Sequence, residues 1–255
     1  MKKIHATLMA TASILMTGAF PPAQAAPAGS VKNVVIVHGA LADGSGWKGV
    51  YDILTKDGYR VSIVQEPLTS IADDVAATQR VLDQQNGPVI LVGHSYGGAI
   101  ITVAGADAKV KSLVYVAAVA PEVGESTLKL ATSIPAASND LQPTKDGFLF
   151  LGPSKFAADF AADVPKAKAA FMAISQVPVA AAAFGTPVTI ASWHDKASYG
   201  VVPTEDHILN PDLERSMYKR AGAKVTEVKG ASHAVYISQP RAVASVIEKA
   251  ALEAK

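Results

Sequence analysis

The sequence predicts an α/β fold: a doubly wound, mostly parallel sheet carrying an inserted helical cap. Three observations carry this reading. Short apolar runs alternate with longer stretches of helical period, and most runs are apolar on both faces, as in sheets covered by helices on each side. The runs at 34–37 and 89–92 end in glycine-containing loops, where such sheets place their sites. Between about 122 and 187 the alternation stops. That stretch holds Pro135, Pro143, Pro153, Pro165, Pro178 and Pro187 among alanine-rich helical pieces, with no strand run.

The elements follow in order. Val34-Val35-Ile36-Val37 is a buried strand, ending in His38-Gly39-Ala40-Leu41-Ala42-Asp43-Gly44. Trp47 to Asp57 has Trp47, Val50, Tyr51 and Leu54 at helical spacing and closes at Gly58. Tyr59 to Val64 is the next strand. Asp73 to Gln85 is a helix closed by Asn86-Gly87. Val89-Ile90-Leu91-Val92 is a strand, and Gly98 to Ala106 after it is long enough for a buried helix. Ser112 to Ala117 is a further strand. Within the cap, Phe156 to Val164 and Lys166 to Ile174 read as helices. The alternation resumes with a strand at 198–202, a helix from Asp212 to Gly222 and a strand from Lys224 to Val228. Pro240 then opens a last helix, about Arg241 to Ala254.

Residues 1–25 read as a signal peptide rather than part of the fold. Lys2 and Lys3 form a basic start, Ile4 to Gly18 is mostly apolar, and Ala23-Gln24-Ala25 is an A-x-A cleavage site. The expected mature chain is 26–255, one domain with the cap inserted at about 122–187, and without a membrane span. Losing two lysines changes the formal net charge from +1 to −1. The expected location is the periplasm or medium of a bacterium. No basic stripe is present, which argues against a nucleic-acid partner. There is no cysteine, so disulfides, a thiolate nucleophile, a zinc–thiolate site and a lipid-modified N-terminal cysteine are excluded.

The stretch from Val89 to Gly98 carries the chemistry. Strand, Gly93-His94-Ser95-Tyr96-Gly97 and helix together make a G-x-S-x-G nucleophile elbow, in which a strained turn projects the serine hydroxyl beyond the sheet edge. A serine hydroxyl needs a base to take its proton, and the base needs an orienting acid. Where a G-x-S-x-G elbow supplies the nucleophile, the order is serine, acid, histidine. His5 leaves with the signal, His38 and His94 break the order, His194 precedes the acid and His207 directly follows it. His233, in the loop after the last strand, remains as the base. Asp206, after the preceding strand, is the candidate acid. Glu205 is its neighbour and main rival, and Asp195 lies before the strand. The oxyanion hole needs two backbone donors. The expected pair are the N–H groups of Tyr96 and Ala40. His38-Gly39 also reads as a glycine turn with a histidine packed beneath it, which is compatible with that role.

Val-His-Gly-Ala at 37–40, Gly-His-Ser-Tyr-Gly-Gly at 93–98, Thr-Glu-Asp-His-Ile at 204–208 and Gly-Ala-Ser-His at 230–233 give the chain a resemblance to the α/β-hydrolase superfamily. Within it, the chain resembles the small cysteine-free group of plant methylesterases and hydroxynitrile lyases. The resemblance spans about 32–252 and is weakest in the cap. It implies a carboxylester hydrolase with Ser95, Asp206 and His233 as the triad, a small-molecule ester as substrate, and no metal or cofactor. The lyases carry a threonine where Gly39 stands and a lysine where Ala234 stands, so the resemblance implies hydrolysis rather than lyase chemistry. Ser95 also excludes dehalogenase and epoxide-hydrolase chemistry, which need a carboxylate at the elbow. Lactonases, thioesterases, amidases, carbon–carbon hydrolases and perhydrolases use the same triad. A receptor that keeps the fold to bind a ligand is the alternative of another class. Trp47, Trp193, Phe156, Phe160 and Phe171 are candidates for lining the acyl or alcohol pocket, each with core packing as its simpler role.

Overall fold

The computed structural model describes residues 27, 29–138 and 140–254. The expected signal peptide, residues 1–25, lies outside the described residues. Among the described residues no helix is long and apolar enough to cross a membrane.

The chain runs β1 (Asn33–Val37), α1 (Lys48–Lys56), β2 (Arg60–Val64), α2 (Ile71–Asp83), β3 (Val89–His94), α3 (Gly97–Ala104) and β4 (Val110–Val116). Next come α4 (Thr127–Ser133), β5 (Leu141–Pro143), β6 (Phe148–Leu151), α5 (Pro153–Asp159), α6 (Lys166–Ser175), β7 (Val179–Ala180) and α7 (Ala181–Gly185). The chain closes with β8 (Ala197–Pro203), α8 (Pro211–Arg220), β9 (Lys224–Val228), α9 (Val235–Ser238) and α10 (Pro240–Glu253). The main sheet is parallel throughout, in the order β2-β1-β3-β4-β8-β9. Both faces are covered, as the continuous apolar runs require. Val34, Ile36, Ile90 and Val92 pack with Trp47, Leu54 and Ile247, while Val35, Val37, Leu91 and Leu113 join the opposite core with α2, α3 and the cap.

The expected helices differ from those formed mainly at their ends. α2 starts two residues early, because Ser70 caps it by accepting the Asp73 N–H at 3.0 Å. A turn of 3-10 helix at Gly44–Trp47 precedes α1.

The cap is not all helical. β5, β6 and β7 form a small antiparallel sheet. Strands of two to four residues are too short to show a period. The signal that exists is Asp146-Gly147 followed by Phe148-Leu149-Phe150-Leu151. Gly147 takes φ +87° and the Thr144 N–H meets the Phe148 carbonyl at 2.7 Å, closing the hairpin.

The sheet order reverses at β1, which has β2 on one side and β3 on the other. The crevice between β1 and β3 is therefore the switch point of the sheet, where α/β folds open a site. Val37 lies in register with Gly93, so the loops beginning at His38 and His94 leave the sheet side by side.

Candidate active site

Ser95 stands at the head of β3 with φ +53°, in the left-handed region that β-substituted residues enter at a cost of about 1–3 kcal/mol. Its backbone is held from both sides. Its N–H faces the carbonyls of Val116 (3.3 Å) and Ala117 (3.1 Å), and its carbonyl receives the N–H groups of Gly98 (3.0 Å) and Val119 (3.2 Å). Bonds worth about 1 kcal/mol each offset that strain. Gly97 explains the motif's second glycine: a Cβ there would sit 2.5 Å from the His38 carbonyl oxygen.

Asp206 and His233 form a fully buried pair. Asp206 Oδ2 receives the His233 Nδ1–H at 2.6 Å. Asp206 Oδ1 accepts the N–H groups of Ile208 (2.8 Å) and Leu209 (2.9 Å). With Nδ1 protonated toward Asp206, Nε2 is the lone-pair nitrogen, and it has no hydrogen-bond partner among the described residues. The rivals do not reach this histidine: Glu205 and Asp195 are exposed. Ser95 and His233 lie at the same sheet edge, joined through His94. The His94 Nε2–H donates to the His233 carbonyl at 3.0 Å, and the two rings lie 4.7 Å apart.

The loop after β1 closes against the elbow. A Cβ on Gly39 would come within 2.7 Å of Ser95 Cβ and 2.9 Å of His94 Nδ1. Neither the Ala40 nor the Tyr96 N–H is engaged in the hydrogen bonds of the described residues. They are the two groups that sequence reasoning names as oxyanion donors. His38 lies beneath this turn as expected. Its Nε2 accepts the Glu66 N–H at 3.1 Å, so Nδ1 carries the proton and donates to the Gly39 carbonyl at 2.8 Å.

Burial governs the charges around the site. It holds the His38 imidazole below its usual range. Burial, with the neighbouring His233 second, holds His94 well below that range. Both rings are therefore neutral supports at pH 7. Tyr96 donates its hydroxyl to Asp74 Oδ2 at 2.8 Å, and Asp74 Oδ1 receives the Leu68 N–H. Burial, aided by the Asp74 charge, pushes the Tyr96 phenol well up. Burial also raises the nearby Glu66, with Asp74 second. Among the described residues no group of three His, Asp or Glu is arranged to hold a metal ion.

The aromatic candidates divide. Phe160 packs edge-on against His233 at 4.8 Å and stacks on Phe156 at 4.9 Å, so the first forms the wall of the site and the second backs it. Trp47 is fully buried and stacks on Tyr236 at 4.6 Å. Trp193 is buried and donates to the Pro121 carbonyl at 2.9 Å. Both tryptophans are core residues rather than pocket walls: Trp47 joins the core with Ile36 and Val92, and Trp193 joins the opposite core, with its ring against His194 and the Arg220 guanidinium. Phe171 is 65% exposed and borders a cavity of about 120 Å³ with Leu41, Lys168, Met172 and Ile237. A larger cavity of about 340 Å³ lies under the cap between Leu128, Leu151, Phe184 and Ile208. Phe184 packs on the Tyr96 ring at 5.4 Å. Sequence reasoning missed the roles of His94, Asp74 and Phe184, none of which has a local signal beyond its residue type.

The chain matches the model of the alpha/beta hydrolase family over residues 34–246. It is 29% identical over 250 residues to a pyrethroid hydrolase of Sphingobium wenxiniae, covering 86% of this chain and 87% of that protein. It is 25% identical over 239 residues to putative methylesterase 11, chloroplastic, of Arabidopsis thaliana, covering 82% of this chain. The chain spans 61% of the length of that methylesterase and 55% of a second chloroplastic one. The solved structure of polyneuridine aldehyde esterase superposes with a TM-score of 0.74 at 19% identity, over 86% of this chain and 98% of that one, a likeness of fold.

Proposed function

The chain belongs to the alpha/beta hydrolase family, and we propose that it is an exported serine hydrolase that cleaves a carboxylic ester of a small molecule through an acyl-enzyme. The observation that carries this reading is the buried pair of Asp206 and His233, joined at 2.6 Å beside an elbow serine held at positive φ. Its relatives are esterase-type hydrolases, which supports an ester as the substrate class.

In the proposed reaction His233 Nε2 takes the proton of the Ser95 hydroxyl as its oxygen attacks the ester carbonyl. Asp206 keeps the proton on Nδ1, which leaves the Nε2 lone pair free to take the serine proton, and stabilises the imidazolium that forms. The Ala40 and Tyr96 N–H groups receive the oxyanion. His233 then protonates the leaving alcohol. Water, deprotonated by the same Nε2, cleaves the acyl-enzyme and restores Ser95. The buried Asp206–His233 pair and the half-buried Ser95 are held before substrate arrives, so little reorganisation opposes the reaction.

The test is turnover of p-nitrophenyl acetate and butyrate by the mature protein and by Ser95→Ala. The variant is expected to lose at least about a thousandfold in kcat. Equal rates would refute the catalytic reading and favour a ligand-binding role for the fold. Export predicts a processed chain in the periplasm or medium that begins at Ala26. A product that keeps residues 1–25 would refute it.

A further inference from the structure

α8 carries a glutamate that its position in the sequence does not explain. Glu214 has no exposed surface. Neither of its carboxyl oxygens receives an N–H or O–H donor from the described residues. Its carboxyl lies against that of Asp206. Two carboxylates are both acceptors, so a bond between them needs a proton on one of them.

The donor count decides which one. Asp206 already accepts three N–H groups, from Ile208, Leu209 and His233. A carboxylate has about four lone-pair sites, so one remains. The charged and titratable groups facing Glu214 offer it nothing. Tyr218 exchanges its hydroxyl with the N–H and carbonyl of Ala118 at 2.9 Å each. The Arg215 guanidinium is taken by Asp212 and Glu227. An ionised Glu214 would be a buried anion with no donor at all, which is far costlier than a neutral acid. The proton therefore belongs to Glu214, and its O–H fills the fourth site of Asp206.

We propose that Glu214 is a positioning residue: a neutral carboxylic acid that completes the donor shell of Asp206 and keeps that carboxylate aimed at His233. This rests on the reading of Asp206 as the acid of the triad. Burial, with the Asp206 charge second, raises the Glu214 carboxyl well above the usual range, in keeping with a neutral acid.

The experiment compares Glu214→Gln and Glu214→Leu with the wild type, with Ser95→Ala and Asp206→Asn alongside. Gln retains an N–H donor at nearly the same place, and most of the activity is expected to survive. Leu fills the space without a donor. Its kcat is expected to fall by about tenfold with little change in KM. An Asp206 short of one donor binds the imidazolium harder, so the acid limb of kcat/KM is expected to move to higher pH by roughly 0.5. Infrared difference spectra at pH 7 supply a readout independent of activity: the C=O stretch of a protonated acid, present in the wild type and missing from Glu214→Gln. A Leu variant with wild-type kcat and pH profile overturns the proposal, as does a wild type without that band. If Ser95→Ala keeps full activity, it is the catalytic reading that fails, while the band still reports where the proton sits.

Discussion

Asp206→Asn is the substitution whose outcome the geometry fixes most tightly. Asparagine has one acceptor and one donor where aspartate has two acceptors. The Ile208 and Leu209 N–H groups, at 2.8 and 2.9 Å, both point at Oδ1. Placing the amide NH2 there would set it against two buried donors, at about 1–3 kcal/mol for each one stranded. The amide oxygen therefore takes the Oδ1 place, and the NH2 faces His233 Nδ1. A ring nitrogen facing a donor must accept, so the imidazole changes tautomer and its proton moves to Nε2. A protonated Nε2 cannot take the proton of Ser95. The variant folds, since volume and two of the three bonds persist, but its base is reversed. The expected loss in kcat is about ten-thousandfold, or about 5.5 kcal/mol of barrier. The assay is p-nitrophenyl butyrate hydrolysis, with circular dichroism as the check on folding. Glu205→Gln, altering an exposed carboxylate, is expected to stay near wild type. An Asn variant within tenfold of wild type, or an equal loss in Glu205→Gln, would refute the reasoning.

Glu66→Gln tests the pH dependence of stability. Burial raises this carboxyl, and both its oxygens lack partners among the described residues. A carboxyl raised in the folded state contributes fully below its unfolded value of about 4.3 and loses that contribution as pH rises through the folded value. Gln removes the loss, so the variant is expected to gain stability over wild type between pH 5 and pH 8. The gain accrues at a limiting slope of about 1.4 kcal/mol per pH unit, up to the folded value. Thermal melts read this as about 2–4 °C per kcal/mol, and a difference independent of pH would refute it. Gly39→Thr drives a Cβ to 2.7 Å from Ser95 Cβ. It is expected to reduce esterase kcat by at least about tenfold without producing cyanohydrin cleavage, because the threonine displaces the nucleophile; unchanged esterase kinetics would refute the close contact.

Much of the fold was legible because strands buried on both faces write themselves as apolar runs. Val34–Val37 and Val89–Val92 needed no long-range information. The order of Ser95, Asp206 and His233 could be read because each loop follows a strand that the same pattern locates. Other features depend on chain returning from far away. Glu214, in the first turn of a helix, has the position of an ordinary solvated carboxylate complementing the helix dipole, and only the packing of α8 beneath the Asp206 loop buries it. His94 looks like the spare residue of the elbow until His233, 139 positions later, brings its carbonyl to the ring. The cap strands were hidden by their shortness. Trp47 and Trp193 take the simpler of the two roles the sequence offered them, core packing.

Backbone strain links these parts. Among the described residues four non-glycine residues hold positive φ: Leu41 at 64°, Leu68 at 57°, Ser95 at 53° and Ala117 at 47°. They follow β1, β2, β3 and β4, all at the edge where the candidate site lies. At about 1–3 kcal/mol apiece, four such residues persist only where surrounding bonds over-determine them. The bonds differ in origin. Ser95 and Ala117 are tied within the sheet edge, the Ser95 N–H to the Ala117 carbonyl and the Ala117 N–H to the Val201 carbonyl. Leu41 and Leu68 are tied to the cap: the Leu41 N–H meets the Val177 carbonyl at 3.1 Å, and the Ala180 N–H meets the Leu68 carbonyl at 2.9 Å. Leu41 directly follows Ala40, one of the two proposed oxyanion donors. The 177–180 segment therefore braces the turns after β1 and β2. One backbone bond fixes the turn that carries the proposed Ala40 donor and the other fixes the turn after β2, so in the proposed reaction the cap would hold part of the geometry that cleaves the ester.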